Sequence, residues 1–280
     1  MITAHARGQH RLLHRQPWIL DDPFALSLIG PAWHDLYEAM AAAFREELRH
    51  HGVAFIIVRS RYVEDRLLAS GHRQYVILGA GLDSFAWRRP DLLAETVVIE
   101  VDHPATQAWK RQRGEELALP THPNHRLAAV DFESGSLHEG LHSVGFDDKT
   151  PTVFSWLGVV EYLTVDAIED VLRFVAALPR GSEMTLTYAP PIELLDEPGR
   201  EFREIVTAIA ADSGEPFRTL LGPVEAEELL VRCGLRVADH PTHDDLVGRY
   251  FAARSDELRP YTAERIITGV VASPNERDNR

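Results

Sequence analysis

The run YVILGAGLD, from Tyr75 to Asp83, is followed about twenty residues later by VVIEVD, from Val97 to Asp102. This pair constrains the fold more than any other part of the chain. A short apolar run reads as a buried strand. Gly79 and Gly81 let the backbone turn tightly after it and approach a ligand closely. The second apolar run ends in acid, where folds of this kind hold a ribose diol. The combination predicts a site for a nucleoside cofactor, without saying which one.

Downstream of Tyr75, strand and helix patterns alternate. Strands are expected at 75–78, 97–100, 126–130, 152–156 and 183–188. The clearest helix lies between the last two: Thr164 is placed to cap it, Asp166 suits its first turn, and Ile168, Val171, Leu172, Val175 and Leu178 form one apolar stripe ahead of Pro179 and Gly181. Such alternation predicts an α/β fold, a mainly parallel sheet covered by helices on both faces. Upstream, residues 22–70 read as helices, the last ending at Gly71. Residues 190–222 read as an insertion able to cover the site. A helix at 223–233 then leads to strands near 235–239 and 249–253.

Composition removes several classes. A net charge of −14 argues against nucleic acid as the main partner, since phosphate binding relies on clustered Lys and Arg. No apolar run approaches the ~18–20 residues needed to cross a bilayer. Cys233 is the only cysteine, so an intrachain disulfide and a thiolate zinc site are excluded, and a cytoplasmic protein is expected. His10 and His14 have i,i+4 spacing, but there is no His-Glu-x-x-His pattern, so no metal site is expected. The glycine motif places Ser84 where a dinucleotide fold has its third glycine, and no Tyr-x-x-x-Lys pair is present, which disfavours an NAD-dependent oxidoreductase.

Further blocks carry a family resemblance: DPFA from Asp22 to Ala25, RSRYVED from Arg59 to Asp65, QYVILGAGLDSFAW from Gln74 to Trp87, IEVDHP from Ile99 to Pro104, VDF from Val130 to Phe132, Gly145 with Phe146, and WLGVVEYL from Trp156 to Leu163. In this order the chain resembles the leucine carboxyl methyltransferase family, including its bacterial and polyketide-tailoring branch. The resemblance implies a class I, Rossmann-like methyltransferase with a mostly parallel seven-stranded sheet and an antiparallel last strand. It implies a single domain over 1–280: a helical cap at 1–72, a cofactor-binding core at 73–189, an inserted helical lid at 190–222, and completion of the sheet over 223–280.

The implied cofactor is S-adenosyl-L-methionine. Gly79, Ala80 and Gly81 match the loop against its methionine end and ribose. Arg59 matches the arginine that holds the amino-acid carboxylate, and its spacing with Ile56, Val63 and Leu67 independently turns its charge toward the core, where it needs an anion. Asp102 matches the ribose acid, with Glu100 on the same side of the strand as the second candidate. Asp131 and Phe132 match the pair at the adenine, with a turn or helix cap as the alternative for Asp131. Asp83 matches a further acid of the loop, where a first-turn acid favoured by the helix dipole looks identical. The family's glutamate five residues before the fourth-strand tyrosine is replaced by Leu157, and Glu161, one turn away, is not an obvious substitute. Trp156 and Leu157 are candidates to wall the cofactor apolarly, and core packing is the equal alternative for Trp156.

No general base stands out. Tyr162, Tyr188 and His103 are the candidates for orienting an acceptor. The lack of a base favours methylation of a carboxylate, and the resemblance to the bacterial branch implies that it belongs to a small secondary metabolite, a polyketide or aromatic acid. Hydroxyl methylation, methylation of a protein C-terminus, and a non-catalytic cofactor-binding protein are the alternatives. The expected partner is a small-molecule acceptor; the sequence leaves monomer and homodimer open.

Overall fold

The computed structural model describes residues 1–132, 135–212, 214–256 and 258–272. Seven strands form one sheet: β1 (Gln74–Leu78), β2 (Val97–Asp102), β3 (His125–Ala129), β4 (Val153–Trp156), β5 (Glu183–Tyr188), β6 (Arg236–Asp239) and β7 (Arg265–Val270). Their spatial order is β3-β2-β1-β4-β5-β7-β6, and β7 alone runs antiparallel to both of its neighbours. The first five strands pair in parallel, the arrangement expected from the alternation. Strand order reverses between β1 and β4, and ligands bind beyond the carboxyl ends of strands at such a point. Register aligns those ends, since Leu78 pairs with Val101 and with Trp156, and Asp102 pairs with Ala129.

The helices ahead of the sheet are α1 (Ile2–Leu13), α2 (Ala25–Ile29), α3 (Trp33–Ala43) and α4 (Glu46–Ser70). Two short turns, α5 (Phe85–Arg88) and α6 (Pro90–Leu93), follow β1. Then come α7 (Pro104–Glu116), α8 (Leu137–Ser143), α9 (Val165–Ala176), α10 (Glu197–Asp212), α11 (Pro223–Arg232) and α12 (His243–Tyr250). Gly71 ends α4 in the left-handed region, at φ +66°, as a glycine permits. Thr164 caps α9 by accepting from Ala167 N, and Ile168, Val171, Leu172 and Val175 are buried as one stripe. One face of the sheet packs on α4 and α12, the other on α9 and α11. No helix among the described residues is long and apolar enough to cross a membrane.

One expectation about elements needs correction. Residues 249–253 are not a strand. They fall on the end of α12 and the turn after it, where the capping box of Thr242 and Asp245 has started a helix, and the last strand lies further on at 265–270. The basic N-terminal segment is a helix, and Ala4 to His10 are buried along it. The 190–222 segment carries α10, whose Phe202 ring stacks on Tyr261 at 4.2 Å. Residues 273–280 of the last expected segment lie outside the described residues.

Candidate functional site

Gly79 and Gly81 turn the chain at the end of β1 with φ of +66° and +51°. The amides of Gly79 and Ala80 both donate to Val101 O, which ties the loop to β2. Gly81 N donates to Asp102 Oδ2 at 2.6 Å, and His103 N donates to Asp102 Oδ1 at 2.7 Å. Asp102 therefore stands fixed at the end of β2, partly exposed, with lone pairs to spare. A Cβ built on Gly81 meets nothing within 4 Å. Open space over bare backbone, beside a fixed carboxylate, is the cradle a nucleoside needs. Asp131 and Phe132 follow β3 on the same edge and are partly exposed. These residues fit the expected cofactor.

Other candidates have different placements. Glu100 is fully buried, with one oxygen on Lys110 and the other on His125 Nε2 at 2.9 Å. Burial alone raises a carboxyl pKa, but Lys110 and His125 outweigh it and hold Glu100 down to about 2. Both oxygens are spoken for, so Glu100 is not available as a second ribose acid. Trp156 is fully buried in the core on the α9 face, so of its two readings core packing holds and it presents no face to a ligand. Asp83 accepts from Phe85 N at 2.6 Å and so caps the turn that opens α5. His103 caps α7, its Nδ1 accepting from Ala105 N at 3.2 Å. Tyr188 is buried in the same core as Trp156, its hydroxyl 2.8 Å from His240 Nε2, so it does not reach an acceptor.

Next to the glycine loop, the chain after β4 closes the site. A Cβ on Gly79 would lie 2.4 Å from Val159 Cγ2, so the β1 and β4 loops touch. Gly158 donates its N–H to Thr187 Oγ1 at 2.8 Å, and its missing Cβ leaves room for the Arg59 guanidinium. Arg59 does face inward from α4, and the anion it meets is Glu264, at 2.6 and 2.9 Å from Nη1. The 3₁₀ turn at Val160–Tyr162 brings Glu161 to the same place. Its backbone carbonyl accepts from Arg218 N and Thr219 N, which pins the turn.

Glu161 is the residue that sequence reasoning set aside. It is 5% exposed, and its Oε2 has no hydrogen-bond partner among the described residues. Burial first, and then the neighbouring Glu264, push its carboxyl up to about 8, against the opposing pull of Arg59 and Arg203. Burial, Glu161 and Glu264 likewise push the Tyr162 phenol well above its usual range, so it keeps its proton. One signal was legible: Glu161 is the single charge inside the apolar run WLGVVEYL.

Arg59, Gly158, Glu161, Tyr162 and Glu264 line one end of a cavity of about 200 Å³. Its walls are mostly apolar and come from α1, α4, α10 and the segment before β7.

The family model described as leucine carboxyl methyltransferase matches residues 1–176. A presumed S-adenosyl-L-methionine-dependent methyltransferase of Bacillus subtilis is 36% identical, with 96% of each chain covered. Another, from Mycobacterium avium, is 30% identical over 88% of this chain and 90% of its own. Among solved structures, a presumed methyltransferase of Thermobifida fusca superposes with a TM-score of 0.62 at 19% identity, covering 88% of this chain and 92% of its own. That last likeness is one of fold, a class I methyltransferase sheet. By the family match and the two relatives, this chain belongs to the leucine carboxyl methyltransferase family.

Proposed function

We propose that this chain is an S-adenosyl-L-methionine-dependent O-methyltransferase acting on a hydroxyl of a small, mostly apolar acceptor of secondary metabolism. The cofactor reading is supported by the relatives' names, the family match and the fit of the glycine cradle. Asp102 would accept from the ribose hydroxyls, Asp131 and Phe132 would meet the adenine, and Arg59 would take the amino-acid carboxylate through donors that Glu264 does not occupy. When bound, the cofactor supplies an electrophilic methyl group on a neutral leaving thioether. The protein's task is then alignment, exclusion of water and handling of one proton.

Glu161 carries the choice of acceptor oxygen. A carboxylate needs no base, and the sequence pointed to a carboxylate because no base was marked. A hydroxyl must lose its proton, and a buried carboxyl with an unoccupied oxygen and a pKa near the working pH suits that step. In this reading Glu161 accepts the hydroxyl proton while Tyr162 donates to an oxygen in the cavity. A mostly apolar cavity of about 200 Å³ suits a small molecule.

Incubation with methyl-labelled S-adenosyl-L-methionine and a panel of hydroxylated and carboxylated small molecules tests this. Base-stable ethers are the expected products; base-labile esters would overturn the hydroxyl assignment. Glu161→Gln should lower kcat/KM by about 10²–10⁴-fold, as loss of a general base does. The ionised form is the active one, so the wild-type rate should rise with pH through about 8. The variant's profile should be flat there, with unchanged affinity for S-adenosylhomocysteine.

A further inference from the structure

The cavity has a second polar end, and nothing in the chemistry above uses it. Arg49, Gly52, Val53, Ile56 and Arg59 all line the cavity from α4, at spacings that keep them on one helix face. Arg49 and Arg59 stand ten residues apart on this face, about 15 Å at 1.5 Å per residue. On α1, Ile2, His5, Ala6 and Gln9 form the facing stripe.

At the Arg49 end, three nitrogen atoms are buried without a hydrogen-bond partner among the described residues: Arg49 Nε, Gln9 Nε2 and His5 Nε2. His5 is 2% exposed and Gln9 is 5% exposed. Burial, and then the Arg49 charge, lower the His5 pKa, so its imidazole is neutral and can donate. The Arg49 guanidinium lies over the Tyr37 ring at 5.8 Å. The two carboxylates that line the cavity, Glu161 and Glu264, are both grouped with Arg59. Buried donors are nearly always satisfied in folded proteins, and three together around one cavity mark the place of a missing acceptor.

We propose that this end is a subsite for a carboxylate on the acceptor, remote from the oxygen that receives the methyl group. The acceptor class is an elongated hydroxy acid: an anion at Arg49, Gln9 and His5, an apolar body along Val53 and Ile56, and a hydroxyl at Glu161. This inference rests on reading the cavity as the acceptor site. It explains why α1 keeps polar residues on a buried face, and it assigns substrate selection to the Arg49 end and proton handling to the Glu161 end.

Calorimetric titration with 4-hydroxybenzoate, 4-hydroxycinnamate and 4-(4-hydroxyphenyl)butanoate, each beside its methyl ester, tests the subsite, with and without S-adenosylhomocysteine. At least one acid should bind about tenfold or more tightly than its ester, the usual scale for a charged hydrogen bond. Arg49→Met should abolish that preference, and Gln9→Leu should reduce it. Because Gln9 Nε2 has no partner among the described residues, Gln9→Leu should not lower the melting temperature, whereas Arg49→Met also gives up the contact with the Tyr37 ring. The proposal is overturned if no acid is preferred to its ester, or if the Arg49→Met preference equals wild type. Should Arg49→Met fail to fold, Gln9→Leu with an undiminished preference overturns it equally. Failure of S-adenosylhomocysteine to bind would count against the methyltransferase reading, whereas its binding without acid preference sinks only the carboxylate subsite.

Discussion

Gly79 and Gly81 both sit at positive φ, yet they are glycine for different reasons. A side chain at Gly79 collides with Val159, a β-branched residue with little freedom to move aside. A side chain at Gly81 meets only open space. Gly79→Ala should therefore destabilise by about 2–5 kcal/mol, combining left-handed strain with overpacking. Gly81→Ala should cost about 1–2 kcal/mol from strain alone, while abolishing most affinity for S-adenosylhomocysteine. Denaturant unfolding of the two variants checks this, and equal losses of stability would contradict the contact between the loops. Asp102→Ala should weaken S-adenosylhomocysteine binding by roughly 1–3 kcal/mol, the scale of a lost charged hydrogen bond. An unchanged dissociation constant would remove Asp102 from the ribose role. Asp22, from the DPFA block, has a physical role of its own. Its carboxylate accepts from Arg7, Ser84, Phe24 N and Ala25 N, so one buried acid starts α2 and locks α1 to the glycine loop. Arg7 completes the lock by donating to Leu82 O at 2.6 Å.

At the scale of elements, α1 is the unusual piece. Its buried surface includes His5, Arg7, Gln9 and His10, where a core helix normally presents aliphatic residues. Burial lowers the His10 pKa to about 3 and the His14 pKa to about 4, and the two imidazoles stand 3.2 Å apart at their Nδ1 atoms. His10 Nε2 accepts from Ile19 N, a role open only to the neutral ring. Folded values below the ordinary 6.5 mean that these rings stabilise the docked helix above pH 6.5, and that this contribution is lost as pH falls toward 4 and 3. Hydrogen exchange, corrected for its intrinsic pH dependence, should show α1 opening between pH 6.5 and 4 while β1, β4 and β5 stay protected. Equal protection of α1 and the sheet at pH 4.5 would contradict this. Since α1 forms one wall of the cavity, acceptor binding should weaken over the same range.

Across the whole molecule, the site is assembled from residues that the chain keeps far apart. Arg59 and Glu264 are 205 positions apart and form one ion pair. Sequence patterns determined the parallel sheet, the glycine turn, the acid after the second strand and the helix capped by Thr164. Each depends on neighbours within a turn or a strand, where apolar period, glycine and capping chemistry act directly. Tertiary structure decided the rest. Trp156 and Tyr188 carry aromatic rings at strand ends, and only the packing of α9 and α11 buried them away from the site. Residues 249–253 are the exception: they read as a strand by composition, although the capping box just upstream, itself a local signal, starts the helix that ends there. Glu161 became a base candidate, and Arg49, Gln9 and His5 a polar end, only when separate helices closed over the sheet. Burial and proximity to distant charges set a side chain's chemistry, and neither quantity is local in sequence.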